Sequence, residues 1–136
     1  MSSTASTRAV GVGRVLIAVY AILALAATAR SGYQIASKFS EAPVAYLLSA
    51  LAGVVYILAT VALIKRGDVW YRVAWATIIF EFAGVVTVGI LSIVDPALFP
   101  HGTVWSLFGR DYVFIPFVLP ILGMLWLYRR RPSAVA

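Results

Sequence analysis

Glu81 stands near the middle of residues 73–94, a stretch whose other members all lack charge. An acid at the centre of a membrane-spanning segment costs about 2.5–3.5 kcal/mol on insertion scales, so it has to face protein or water. Its helical neighbours Ala74, Thr77, Gly84 and Val88 form a face of mostly small residues, which points to a helix contact. Two kinds of chemistry follow: a proton or substrate site, or a polar clamp that fixes the packing of a bundle. An acid buried without a cation is expected to be uncharged at pH 7, and as such it can donate a hydrogen bond. A suitable acceptor is the Pro116 carbonyl, because Pro120 four residues later has no N–H to offer it. An ionised Glu81 would instead need Arg14 or Arg30, each about 7–12 Å away along the membrane normal and able to approach only by snorkelling. The candidate intramembrane polar site is therefore Glu81 with Arg30, Gln34, Thr77 and Pro116.

The other reactive side chains form no recognised constellation. Asp95, His101 and Asp111 are six and ten residues apart, which matches no zinc or calcium pattern. A membrane enzyme acting on lipid would have to be built from those three. The single histidine sits beside proline and glycine, which gives no nucleophilic triad. Gly11-Val12-Gly13 is too short for a phosphate-binding loop. The chain has no cysteine, so disulfides, iron–sulfur clusters and thiol catalysis are excluded. The expectation is a non-enzyme with no catalytic residue, no metal and no cofactor.

These residues sit on elements built for lipid. The 136 residues are 62% hydrophobic and 12% charged, which leaves no room for a water-soluble domain. Residues 44–64 are wholly uncharged and cover about 30 Å as a helix, the thickness of a bilayer's hydrocarbon core. Similar stretches occupy 15–29, 73–94 and 113–128, and their continuous apolarity favours helices over barrel strands. The expected architecture is an all-α, up-down bundle of four transmembrane helices near 12–36, 43–64, 70–94 and 108–128. These form one domain over residues 9–131, between a disordered tail (1–8) and a short C-terminal tail (132–136).

The net charge of +6 follows topology rather than a nucleic-acid surface. With both termini cytoplasmic, the inner segments hold Arg8, Arg14, Lys65, Arg66, Arg72 and Arg129 to Arg131, and the outer ones hold Arg30, Lys38 and Arg110. No nucleic-acid partner is expected. The start of the first helix resembles a secretory signal, with small residues at 27–29, but its helical pattern continues through Ile35 and Phe39, so it is read as uncleaved.

Local signals mark the boundaries. Ser40 is a candidate cap ahead of Pro43. Arg30, Gln34, Ser37, Lys38 and Glu41 give the outer end of the first helix a wet stripe. Ala45, Ser49 and Gly53, four apart and followed by Tyr56 and Thr60, form a helix-packing face, as does Gly84 on the third helix. Pro116 and Pro120 predict a bend in the fourth helix, which is expected to begin near Leu107 or Phe108 to gain enough length. The aromatic loop before it, with Phe99, Trp105 and Phe108, reads as an interfacial wedge on the outer membrane surface, or as a lid or docking surface.

Residues 27–51 (ATARSGYQIASKFSEAPVAYLLSAL) and the motifs DPALFP, TVWSLFG and FIPFVLPILG resemble a family of small four-helix integral membrane proteins of actinobacteria that have no assigned activity. That resemblance implies four spans and a plasma-membrane location, and supplies no substrate, cofactor or catalytic residue. The functional expectation is an accessory or assembly subunit acting through helix–helix packing. Its partners would be the lipid bilayer and either a second copy or a larger membrane complex. The alternative is a homo-oligomeric channel or proton-linked transporter centred on Glu81.

Overall fold

The computed structural model describes residues 3–65, 67–99 and 103–129. Among these the chain is helical without strands: α1 is Ser3–Lys38, α2 Pro43–Ile64, α3 Asp68–Val94 and α4 Ile115–Arg129. The first three are long and apolar enough to cross a membrane. The fourth reaches that status only together with Ser106–Tyr112, which meets it at 98°. This is a multi-pass, all-helical membrane protein of three or four spans. The helix of α1 begins at Ser3, inside the segment expected to be a tail, and residues 132–136 lie outside the described residues.

Contacts between elements give the relative directions of two helix pairs. Tyr20 lies against Tyr56, and Thr28 near Gly53, so α1 and α2 are antiparallel. Gly123 meets Ile78, and the Tyr71 hydroxyl donates to the Leu127 carbonyl at 2.6 Å, so α3 and α4 are antiparallel. The Trp126 ring lies against Gly13, closing the ring of four between α4 and α1.

Helix starts follow from backbone chemistry. Pro43 occupies the first position of α2, where its missing N–H costs nothing, and it drives Ala42 out of the helical region (φ −156°, ψ 67°). Ser40, the expected cap, is instead inside the short 3-10 turn Phe39–Glu41, and no side chain caps α2. Gly67, at φ 106°, makes the reversal into α3 that a residue with a Cβ would resist. Asp68 then sits in the first turn, at the positive end of the helix dipole.

The fourth helix does not begin at 107 or 108. A helix running through that region would force the Pro116 ring against the carbonyl of Tyr112 and leave that carbonyl without a donor. The chain breaks first: Leu107, Phe108, Val113 and Phe114 all have positive φ, alongside Gly109. α4 starts after this break, with Pro116 in its first turn and Pro120 inside it. Its 15 residues rise about 22 Å, short of the hydrocarbon thickness.

Segment 103–112 fills the space this leaves. Phe82 faces Phe117 at 6.0 Å, so α4 covers α3 only from about Tyr71 to Phe82. The remaining length of α3, Gly84 to Val94, rises about 15 Å further. Trp105 covers it at Gly84 and Phe108 at Gly89. The loop is thus no wedge on the membrane surface: Thr103, Val104 and Trp105 are each at most 2% exposed. Apolar side chains of this size gain more from the slot over Gly84 and Gly89 than from an interfacial position.

A Cβ on Gly84 would lie 2.5 Å from the Trp105 ring. Gly84→Ala is therefore expected to lower stability by about 1–3 kcal/mol through overpacking. Thermal unfolding of the purified protein in detergent, with tryptophan emission shifting as Trp105 is displaced, checks this.

Candidate functional site

Buried positions at spacings of three and four bring one stripe of each long helix to a common axis: Leu16, Tyr20 and Leu23 on α1, Ser49, Ala52 and Tyr56 on α2, Ile78, Glu81 and Val85 on α3. On this axis Tyr20 and Glu81 meet at the same level. The Tyr20 hydroxyl donates to Glu81 Oε1 at 2.6 Å, and both residues are 0% exposed. The second carboxyl oxygen, Oε2, is buried with no hydrogen-bond partner among the described residues.

Tyr56 extends the cluster. Its ring lies 6.2 Å from that of Tyr20, and 6.4 Å from that of Trp105 in an edge-on arrangement. The Trp105 Nε1–H donates to the Tyr56 hydroxyl at 2.7 Å. Four separate segments thus converge on one buried series, Trp105, Tyr56, Tyr20 and Glu81. Each ring pair of this geometry contributes about 0.5–1.5 kcal/mol beyond its burial.

The loop end of the series is secured by hydroxyls. The Val104 N–H donates to Ser49 Oγ at 3.2 Å, the Thr103 N–H to Ser106 Oγ at 2.7 Å and the Trp105 N–H to Thr103 Oγ1 at 3.0 Å. These bonds satisfy backbone donors that have left helical structure inside an apolar protein, where an unmatched N–H costs about 1–3 kcal/mol.

No known protein family, characterised protein or solved structure matches the chain.

The geometry of the site separates most of the residues the sequence grouped with Glu81. Arg30 lies ten residues beyond Tyr20 on α1, about 15 Å further along the axis, and its Nη1 pairs with Asp111 Oδ2 at 3.8 Å. Asp111 is half exposed, so this pair ties α1 to the loop while contributing little stability. Arg14 is exposed, six residues from Tyr20 in the other direction. Gln34 is buried, not part of a wet stripe, and its Oε1 has no hydrogen-bond partner among the described residues. It is four residues beyond Arg30, and further still from Glu81.

Thr77 donates within its own helix, to the carbonyls of Val73 and Ala74. Pro116 is fully buried, with its ring against Gly109, and no hydrogen bond joins it to Glu81. Tyr20 has the role expected of the Pro116 carbonyl, and with the opposite sense: the carboxyl accepts from a hydroxyl.

The small residues are placed as follows. Gly53 meets Thr28 of α1, and Ala45 is wholly buried. Ser49 and Gly84 both face the loop rather than a helix. Asp95 is exposed, and His101 lies outside the described residues.

Tyr20, Tyr56 and Trp105 are the members that sequence reasoning did not assemble. The available signal was the hydroxyl of Tyr20, a lone polar atom in the otherwise apolar stretch 15–27. A hydroxyl so placed needs an internal partner, and Glu81 is the one acid at comparable depth.

The chemical capacity of this site is to cross-link three helices and a loop through buried, directed bonds. Tyr20→Phe removes the donor and leaves a buried carboxyl unmatched, which is expected to cost about 1–3 kcal/mol. Tyr20→Phe combined with Glu81→Met removes both partners and is expected to recover most of that loss. A double-mutant cycle by thermal unfolding measures the coupling.

Proposed function

We propose that this chain is a non-enzymatic accessory or assembly subunit of the plasma membrane, acting through helix–helix packing with a larger membrane complex or with itself. The bias of basic residues toward the 65–67 segment and the terminal segments supports a cytoplasmic location for both termini. The resemblance to the actinobacterial family agrees with that location.

The observation that carries the reading is an unused face of α1. Val15, Ala18, Ile22, Leu25, Ala29 and Gly32 recur at alternating spacings of three and four and are all exposed, with Val15 and Ile22 at 63% and Leu25 at 74%. A Cβ on Gly32 would touch nothing. An apolar seam of this period, interrupted by small residues, is the form that lets a second helix approach closely. The glycines at 53, 84, 89 and 123, by contrast, are filled from within the bundle.

The chain has no cysteine, so single cysteines report cleanly. Ala18→Cys and Leu25→Cys are expected to give cross-linked adducts in native membranes, and Leu58→Cys on the exposed face of α2 is not. Absence of adducts at both α1 positions would remove the reading.

A second reading, proton-linked transport in a homo-oligomer, is favoured by the unmatched Oε2 of Glu81 in the middle of the bundle. In that case Glu81→Gln folds normally and loses proton-coupled flux in liposomes. Unchanged flux in the variant rejects it.

A further inference from the structure

At the end of the bundle formed by the α2–α3 turn, a cavity of about 550 Å³ opens between all four helices. Its volume lies in the range of sites that hold whole small molecules rather than single ions. Two cations line it, Arg14 from α1 and Lys65 from the turn, with one acid, Asp68. Neither cation is paired with a carboxylate among the described residues, where the one ion pair is Arg30–Asp111. Asp68 sits in the first turn of α3, where the helix's own free N–H groups offset it. The first of the backbone bonds there runs from the Tyr71 N–H to the Gly67 carbonyl, so the amides of residues 68–70 precede it.

Away from these charges the lining turns apolar. Ile17, Leu63 and Trp126 form a wall, and Trp126 is held in place by its contact with Gly13. The ligand that fits is amphiphilic: an anionic group large enough to engage two cations, joined to an apolar body that continues toward the hydrocarbon. A free phosphate would satisfy the cations and leave the wall bare. Basic pockets between transmembrane helices at headgroup level are suited to phospholipid heads.

We propose that this cavity binds the phosphate head of an anionic phospholipid between Arg14 and Lys65, with an acyl chain along Ile17, Leu63 and Trp126. The site is independent of Glu81 and of the α1 seam.

Native mass spectrometry of the full chain in detergent tests this, with phosphatidylglycerol, phosphatidylcholine and inorganic phosphate as probes. One equivalent of phosphatidylglycerol is expected to survive detergent exchange in preference to phosphatidylcholine. The double variant Arg14→Gln with Lys65→Gln is expected to retain it about thirty-fold less well. Both side chains are exposed, so the variant should unfold at the wild-type temperature. Ile17→Trp narrows the apolar wall and leaves the charges intact; loss of phosphatidylglycerol in this variant supports the acyl-chain placement.

Equal retention of the two lipids, or wild-type retention by the double variant, overturns the proposal. Displacement of phosphatidylglycerol by inorganic phosphate at comparable concentration also overturns it, by assigning the cations to a free anion.

Discussion

The chain breaks direction just before Pro116, which puts that proline in a first turn where its missing N–H is harmless, and the asymmetry of the bundle grows from this break. The chain spends four left-handed non-glycine residues, at about 1–3 kcal/mol each, to break direction before α4 begins. A helix of 15 residues then covers only part of α3. The uncovered part would be a groove floored by Gly84 and Gly89, and the chain fills it with its own aromatic loop. Bringing irregular backbone into such a place is tolerable only if each donor finds an acceptor. Ser49, Thr103 and Ser106 provide those acceptors, which gives a physical reason for hydroxyls among so many aliphatic residues.

The Trp105–Tyr56–Tyr20–Glu81 series extends the same economy to the bundle axis. Each member brings an apolar body for packing and one polar atom for a directed bond, so the interior is cross-linked without a charge pair. Tyrosine suits this better than arginine would. A cation taken to that depth would carry a desolvation cost of several kcal/mol before it met the carboxyl. The bundle confines its described ion pair to the half-exposed position between Arg30 and Asp111.

The spans of α1, α2 and α3 were legible because continuous apolarity and the 3.6-residue period are properties of a single segment. Glu81 was legible as a buried group for the same reason: its cost depends on depth, and depth can be counted along one helix. Its partner was not, because which residue of α1 stands level with Glu81 depends on the register between helices. Composition placed Arg30 as near as any other polar residue, whereas the packing of Tyr20 against Tyr56 sets it about 15 Å away. The start of α4 was misplaced by a length argument. It assumed that a span has to be one helix, when a loop folded inward can complete the layer. The position of Trp105 was hidden for a related reason: a tryptophan beside apolar residues suits a membrane surface and a protein slot equally well until Gly84 is seen opposite it.

The inward loop also sets an order of assembly. Its slot has a floor from α3 and an anchoring hydroxyl and phenol from α2, at Ser49 and Tyr56, so no pocket for Trp105 exists until those helices have inserted and paired. α1 through α3 can each enter the bilayer on their own apolarity. The segment from Thr103 to Val113 bonds several of its own amides, but its Val104 N–H depends on Ser49 of α2 and its Trp105 Nε1–H on Tyr56. Biogenesis of this chain therefore divides into insertion followed by a separate closing step. Until that step is complete, the nascent protein carries an open groove along α3, floored by Gly84 and Gly89, with the Ser49 and Tyr56 hydroxyls of α2 not yet engaged by the loop.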